Sequence, residues 1–191
     1  MIMQIATMQQ FSLFDRFKKK EPKVQISDKK NISTLETLYA PVAGKVKPII
    51  EVSDPVFSQR MMGDGFAVTP TANQIYSPIN GKIISIFDTK HAIGIETTSG
   101  LEVLIHMGLD TVELNGKPFS VYVNVGDVVT PTTMIAEMDI KAVVEAKKET
   151  DVLIVVTNMD EVADVTLNAD GLVVAETPVA LVTMKELKNR K

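Results

Sequence analysis

The sequence predicts an all-β domain, an antiparallel β-sandwich or barrel-like sheet with a few short helices. From Ile32 onward, short runs rich in Val, Ile and Thr alternate with Gly, Pro, Asn and Asp, which is typical of strands joined by tight turns. One β-unit also recurs: Tyr39–Val46 (Tyr-Ala-Pro-Val-Ala-Gly-Lys-Val) returns 37 residues later as Tyr76–Ile83 (Tyr-Ser-Pro-Ile-Asn-Gly-Lys-Ile). In each copy proline is expected to start a turn, and Gly44 and Gly81 to supply a positive φ before the next strand. Two like units predict a pseudo-symmetric fold.

Composition excludes several classes of protein. The 191 residues suffice for one domain with a tail, and 45% apolar residues allow a sizeable core. The net charge of −4 argues against nucleic acid as a partner. The absence of cysteine excludes disulfides, thiolate catalysis and cysteine metal sites. No apolar run approaches the roughly 20 residues of a membrane-spanning helix.

The composition changes near residue 32, which predicts an N-terminal tail at 1–31 and a folded domain at 32–191. Within the tail, Phe11–Lys20 combines an apolar helical face with a basic cluster, so it can lie on an anionic membrane surface. The alternative is a tail whose aromatic side chains dock on a neighbour or on nothing. Glu21–Asn31 is charged and contains a proline, which predicts a linker. The apolar helical face consists of Leu13, Phe14 and Phe17.

Several elements are predicted after the repeats. Apolar spacing of i, i+3 and i+4 predicts one short helix within Asp139–Lys148. Asn158 is a candidate cap for a further helical turn. Strands are expected at Ser120–Val125, Thr133–Met138, Val152–Val156, Gly171–Val174 and Leu181–Thr183.

The stretch Asp88–Asp110 holds both histidines of the chain and is predicted to form a hairpin. Strand-forming residues flank Thr97–Gly100, which is the only turn-forming run between them. If the turn is symmetric about Thr98 and Ser99, His91 faces His106 across the hairpin. Facing Cβ atoms lie roughly 4.5–5.5 Å apart, so the two imidazoles could share a small ion or a phosphoryl group. A slip of one residue would move them to opposite faces.

Three chemistries suit such a pair of histidines. A zinc hydrolase needs a third ligand, which Asp54 or Asp110 could supply, but the chain lacks the His-x-His and His-x-x-x-His spacings. A Ser-His-Asp hydrolase would need a Gly-x-Ser-x-Gly motif, which is absent. In the third chemistry, one neutral imidazole attacks a phosphoryl group while the other binds its oxygens. Gly108 would then permit close backbone approach to a phosphoryl oxygen.

Four motifs carry a resemblance to a known family: Thr89-Lys-His-Ala92, Ser99–Leu114, Gly63-Asp-Gly65 and Thr157-Asn-Met-Asp-Glu161. The sequence resembles the glucose-family enzyme IIA of the bacterial phosphoenolpyruvate-dependent sugar phosphotransferase system, from about Thr37 to Leu187. The resemblance implies an antiparallel β-sandwich with short helices, the duplicated hybrid motif, which is consistent with the internal repeat.

The resemblance also implies roles for individual residues. His106 would accept the phosphoryl group, His91 would stabilise and transfer it, and Thr89 would hydrogen-bond His91. A collar of apolar residues with two acidic neighbours would dock partners and keep water from a labile phosphoramidate. This partner-binding rim would consist of Asp54, Val56, Phe57, Phe87, Leu104, Gly108, Asp110 and Val112.

The function implied by the resemblance is that of a phosphotransferase with a phosphohistidine intermediate. It would take phosphate from the histidine phosphocarrier protein onto His106 and pass it to enzyme IIB of an enzyme IIB/IIC sugar permease. No cofactor would be obligatory, although a regulatory complex could place Zn²⁺ at His91 and His106. The protein would be cytoplasmic, with peripheral contact at the inner face of the membrane. Alternatives are a zinc peptidase of related sandwich fold and a non-catalytic regulator that binds transporters and kinases when unphosphorylated.

The tail hypothesis gives a prediction that does not involve the histidines. Deleting residues 1–20 should leave phosphate uptake unchanged but lower transfer to a membrane-embedded permease, because the anchor raises the local concentration at the bilayer. The full chain should also sediment with anionic vesicles more than with neutral ones, through Arg16 and Lys18–Lys20. Equal transfer and equal sedimentation by the full and shortened chains would show that the segment is no anchor.

Overall fold

The computed structural model describes residues 34–186, and these form an antiparallel all-β fold. The predicted fold class is confirmed. Two short α-helices accompany the strands, α1 (Pro55–Ser58) and α2 (Ile140–Glu145), with 3-10 helices at Ile49–Glu51, Thr111–Leu114 and Met159–Glu161. The strands are β1 (Leu35–Tyr39), β2 (Gly44–Pro48), β3 (Asp64–Pro70), β4 (Gln74–Tyr76), β5 (Gly81–Ile86), β6 (Ala92–Glu96), β7 (Glu102–Leu109), β8 (Phe119–Val121), β9 (Val128–Val129), β10 (Met134–Met138), β11 (Glu149–Val156), β12 (Val162–Leu167), β13 (Gly171–Val173) and β14 (Pro178–Met184).

The predicted tail at 1–31, its anchor at Phe11–Lys20 and the domain boundary at residue 32 lie outside the described residues and stay predictions. Within residues 34–186, no helix is long and apolar enough to cross a membrane. The strand predicted at Ser120–Val125 is too long, because β8 ends at Val121 and a hydrogen-bonded turn follows.

The strands form one sheet of eight and two sheets of three. The large sheet has the order β13-β2-β3-β11-β7-β6-β5-β9, and the small sheets have the orders β1-β14-β12 and β4-β10-β8. The large sheet is pseudo-symmetric about its central pair of strands, β11 and β7. Counted from the edge to the centre, β13-β2-β3-β11 on one side corresponds to β9-β5-β6-β7 on the other. The two halves therefore meet where β11 pairs with β7.

The internal repeat produces this symmetry through reciprocal backbone hydrogen bonds. The amide of Tyr39 donates to the carbonyl of Pro78 at 2.8 Å, and the amide of Tyr76 donates to the carbonyl of Pro41 at 2.7 Å. Each bond joins equivalent positions of the two copies with the roles exchanged. The pseudo-symmetry predicted from Tyr39–Val46 and Tyr76–Ile83 is therefore present in the fold.

The two repeat glycines, Gly44 and Gly81, are required, but the reason predicted from the sequence is wrong. Neither Gly44 nor Gly81 has a positive φ. Both are needed because a neighbouring strand runs too close for a side chain. A Cβ at Gly44 would lie 2.2 Å from the carbonyl oxygen of Thr69, and one at Gly81 would lie 2.6 Å from that of Glu96.

The strand β7 shows how the core positions the site. Val103, Ile105 and Met107 are buried in the main core between the sheets, whereas Leu104 and His106 alternate with them and face the opposite side. The outer face of the large sheet carries a second apolar cluster beneath the segment from residue 49 to 58. This cluster comprises Ile49, Val52, Phe57, Ala67, Leu109, Leu153 and Val155, with Leu104 packed against it.

One helix prediction is confirmed and one cap prediction is wrong. The helix α2 begins after Asp139, whose carboxylate accepts a hydrogen bond from the amide of Ala142 at 3.0 Å. Asn158 precedes a 3-10 turn but makes no capping bond. Its side chain instead holds the β6–β7 turn, accepting from the amide of Glu102 at 2.9 Å and donating to the carbonyl of Gly100 at 2.7 Å.

The close approach at Gly44 gives a test of the packing. Gly44→Ala should lower the free energy of unfolding by roughly 1–3 kcal/mol, because the obstructing atom is a backbone oxygen that cannot rotate away. Gly94→Ala is the matched control, since its Cβ would meet the side-chain hydroxyl of Ser85, which can move. Urea denaturation of both variants measures the difference, and equal destabilisation would contradict the assignment.

Candidate active site

The hairpin that carries the histidines exists, but its predicted register is wrong by one residue. Ala92, not His91, pairs with His106. The turn has three residues rather than two: the amide of Thr97 donates to the carbonyl of Leu101 at 3.0 Å, and Gly100 has a φ of 84°. A left-handed third residue is characteristic of such turns. It moves the centre of the hairpin to Ser99.

The two histidines are nevertheless neighbours, as predicted. His91 lies just before β6, at the end of a tight turn in which Lys90 has a φ of 56° and donates its amide to the carbonyl of Phe87 at 2.7 Å. Because His91 belongs to this turn and not to β6, its side chain does not follow the alternation of side chains between the two faces of the strand. Its ring lies against that of His106, with centroids 4.9 Å apart and planes at 79°.

A hydrogen bond fixes the tautomer of His106. Its Nδ1 lies 2.8 Å from the carbonyl oxygen of Gly108. A carbonyl oxygen only accepts, so Nδ1 carries the proton and the neutral ring keeps a lone pair on Nε2. His91 is held by its Nδ1 as well, 2.6 Å from the hydroxyl of Thr89. The Thr89–His91 hydrogen bond implied by the family resemblance is therefore present.

Both imidazoles are held in the neutral form. The pKa of His106 is lowered to about 4, chiefly by burial and also by the neighbouring His91, while the Gly108 carbonyl, Asp54 and Asp110 act in the opposite direction. Burial also lowers the pKa of His91, whose side chain is 6% exposed. Near neutral pH the pair therefore offers an uncharged nitrogen nucleophile and an uncharged neighbour.

Gly108 is essential to this geometry. It is buried, has a φ of 76°, and turns its carbonyl back toward the ring two residues earlier. A Cβ at this position would lie 2.8 Å from the carbonyl oxygen of Glu149. The contact of Gly108 with a partner, predicted from the resemblance, stays a prediction. Its contribution in the structure is to orient His106.

An apolar collar surrounds the pair. The edge of the Phe57 ring packs on His106 with centroids 5.0 Å apart, and that of Phe87 packs on His91 at 5.4 Å. Phe57 is buried, Leu104 is half-buried, and the remaining collar residues Val56, Phe87 and Val112 are 40%, 46% and 49% exposed.

Sequence reasoning missed two neighbours of this collar. Met61 and Met62 follow α1 in a turn closed by the amide of Met61 on the carbonyl of Val56 at 3.1 Å, and they are 70% and 44% exposed. The signal in the sequence is the pair of adjacent methionines between Arg60 and Gly63, since methionine is common on adaptable binding surfaces.

The two predicted acidic neighbours lie near His106, since both carboxylates raise its pKa. Asp54 also has a structural role, because its Oδ1 accepts from the amide of Val56 at 2.7 Å and caps α1. Asp110 is exposed in a left-handed conformation with a φ of 55°. The two acids line a cleft of about 380 Å³ that Lys147 and Lys148 also enter.

A zinc centre would require more ligands than the pair provides. Within residues 34–186, no group of three or more His, Cys, Asp or Glu side chains is arranged to hold a metal ion. A catalytic zinc site uses three protein ligands and one open position. The histidines alone would form an incomplete site, to which a partner would have to add ligands.

Comparison with known proteins agrees with the sequence motifs. Residues 36–162 match the family described as phosphoenolpyruvate-dependent sugar phosphotransferase system, EIIA 1. The chain belongs to this family. The resemblance found in the sequence is thereby confirmed, and the residues described above are those of an enzyme IIA component of the phosphotransferase system.

Individual relatives cover most of the chain. A glucose-specific EIIA component of Bacillus cereus is 43% identical over 78% of this chain and 92% of its own length. The match to the glucose-specific EIICBA component of Streptococcus pneumoniae is 47% identical over 78% of this chain but covers only 20% of that longer protein. The solved structure of glucose permease IIA from Mycoplasma capricolum superposes with a TM-score of 0.73 at 36% identity, covering 78% of this chain and 96% of that one.

The lowered pKa of His106 predicts a dependence of stability on pH. Below pH 6.5 the unfolded histidine takes up a proton, whereas the folded one resists protonation until about pH 4. The unfolded state binds more protons in this window, so lowering the pH destabilises the fold. Between pH 7 and pH 4.5 the wild type should lose roughly 2–3 kcal/mol that His106→Gln does not lose. Urea unfolding at both pH values measures this, and equal losses would contradict it.

Proposed function

We propose that this enzyme IIA is a phosphocarrier that accepts a phosphoryl group on Nε2 of His106 and passes it on. The observation that carries the proposal is the hydrogen bond from Nδ1 of His106 to the Gly108 carbonyl, which leaves Nε2 as the nucleophile. The low pKa of the ring supports it, because a protonated imidazole has no lone pair to donate. His106 is also only partly buried, so a donor can reach it.

The donor is the histidine phosphocarrier protein, and the transfer exchanges one P–N bond for another. The Nε2 lone pair of His106 attacks phosphorus while the bond to the donor imidazole breaks, and the donor ring takes back its electron pair. Positive charge then develops on the His106 ring, and the Gly108 carbonyl stabilises it at Nδ1. The step uses the two imidazoles and calls for no metal or cofactor.

His91 stabilises the transferred group. If the Thr89 hydroxyl donates to Nδ1 of His91, that ring carries its proton on Nε2 and can donate it to a phosphoryl oxygen. The contact of 4.9 Å between ring centroids places the two imidazoles close enough to share one phosphoryl group. Onward transfer to enzyme IIB reverses the attack, and the same donor keeps the leaving phosphoryl group in place.

The rim governs docking in this proposal. Phe87, Val56 and Val112 present an exposed apolar surface, and the ring of Phe57 packs on that of His106. Such a surface excludes water from a labile P–N bond once a partner covers it. The carboxylates of Asp54 and Asp110 would attract a basic partner and accelerate association.

The names of the relatives support the substrate and the downstream partner. Relatives more than 40% identical are described as glucose-specific, so glucose is the proposed sugar. In the Streptococcus pneumoniae relative the matching region is part of one EIICBA chain, which supports enzyme IIB and IIC as partners. We place this action in the cytoplasm, at the inner face of the membrane. A regulatory role of the unphosphorylated form, toward transporters or kinases and with a shared Zn²⁺, belongs to the same proposal.

The test is phosphate loading from phosphoenolpyruvate, enzyme I and the histidine phosphocarrier protein. His106→Gln should accept no phosphate, because the nucleophilic nitrogen is gone. His91→Gln is the matched variant on the neighbouring ring and should still accept phosphate, but should pass it to enzyme IIB roughly 100-fold more slowly, since a donor to the phosphoryl oxygens is lost. Loading of His106→Gln equal to that of the wild type would refute the proposal.

A further inference from the structure

The turn that follows His106 is unusually constrained. Between Met107 and Thr111 the chain contains two left-handed residues, Gly108 with a φ of 76° and Asp110 with a φ of 55°. An aspartate adopts this conformation only at an energetic cost. The turn must therefore be held by contacts elsewhere, and the direction of the Gly108 carbonyl depends on them.

Thr111 supplies these contacts. It is fully buried, and its hydroxyl donates to the carbonyl of Met107 at 2.7 Å, which closes the turn at its base. Its methyl group occupies the space above Gly108, where a Cβ would lie 2.4 Å from Cγ2 of Thr111. The side chain of Thr111 thus binds Met107 at the start of the turn and packs on Gly108, the next residue.

The same space beside Gly108 is also bounded by β11. The carbonyl oxygen of Glu149 lies 2.8 Å from the position of a Gly108 Cβ, and the pairing of β7 with β11 is irregular between Glu149 and Val152. A side chain at this position would therefore meet both the Thr111 methyl group and the backbone of another strand. Loss of the Thr111 contacts would leave only the β11 backbone bounding this space.

We propose that Thr111 is a positioning residue for His106. By fixing the Met107–Thr111 turn, it aims the Gly108 carbonyl at Nδ1 and keeps His106 in the tautomer with a free Nε2. Its consequence for phosphoryl transfer rests on the proposed function, whereas its effect on the tautomer does not. Thr111 acts on the His106 ring through the carbonyl of Gly108.

Two substitutions separate the hydroxyl from the bulk of the side chain. Thr111→Val keeps the shape and removes the hydroxyl, while Thr111→Ser keeps the hydroxyl and removes the methyl group. Thr97→Val is the matched control, because Thr97 is also buried and its hydroxyl also bonds backbone, accepting from the amide of Leu101 at 3.1 Å at the far end of the hairpin. Thermal unfolding of all three variants measures how much stability each one loses, so that a general loss of stability can be distinguished from an effect on His106.

The decisive readout is the ¹⁵N spectrum of the His106 ring in the unphosphorylated full chain at neutral pH. The wild type should show a protonated Nδ1 and an unprotonated Nε2. Thr111→Val should move both resonances toward the average of the two tautomers, whereas Thr111→Ser and Thr97→Val should keep the wild-type pattern. A wild-type pattern in Thr111→Val, or the same change in Thr97→Val, would overturn the proposal.

Phosphate uptake gives the second readout. Thr111→Val should lower the kcat of loading roughly tenfold and leave the KM for the phosphocarrier protein nearly unchanged, because the nucleophile is misaligned while the docking rim is intact. Thr111→Ser should restore most of the rate. An equal loss in the two variants would overturn the role of the hydroxyl. If even the wild type takes up no phosphate, the proposed function fails, while the ring spectrum still decides the role of Thr111.

Discussion

The pairing of β7 with β11 is the interaction on which the rest of the structure depends. It joins the two halves of the pseudo-symmetric sheet, and five consecutive pairs from Val103↔Val156 to Met107↔Val152 hold it in regular register. His106 lies opposite Leu153, one pair before the register shifts. The backbone of His106 therefore lies within the regular pairing at the centre of the sheet, and the chain leaves this register only after Met107. This change of register allows the carbonyl of Gly108 to reach the side chain of His106 on the same strand.

The repeat explains why the site has two aromatic neighbours. In one copy of the β-unit the connection between β2 and β3 is long and contains α1, and in the other the connection between β5 and β6 is a tight turn. Because the order of the sheet is symmetric, these connections occupy equivalent places on either side of the central pair. Each delivers one phenylalanine: Phe57 packs on His106, and Phe87 packs on His91. The repeated units thus form the scaffold, and their two different connections supply the aromatic neighbours of the site.

Sequence reasoning found the fold class, the repeat and the proximity of the two histidines, because these depend on local patterns and chain length. It failed where a contact between distant segments decides the outcome. The register of the hairpin depends on the left-handed Gly100, whose turn is held by Asn158 from another part of the chain. Gly44 was assigned a positive φ because nothing in the sequence shows that β3 passes within 2.2 Å of its Cβ position. Asp54 was found as an acidic neighbour, but its capping of α1 was not, since α1 is only four residues long.

The electrostatics of the site balance two opposing demands. A nucleophilic imidazole must be neutral, which burial achieves by lowering the pKa of His106 to about 4. In the proposed function, negative charge would attract a basic partner, and Asp54 and Asp110 carry such charge while raising the same pKa. Desolvation is the larger of these effects, so the ring stays neutral beside two carboxylates. In the proposed transfer, the carboxylates would act mainly on positive charge that a partner brings or that develops on the His106 ring. Acidic and apolar groups can therefore surround His106 while its ring stays neutral.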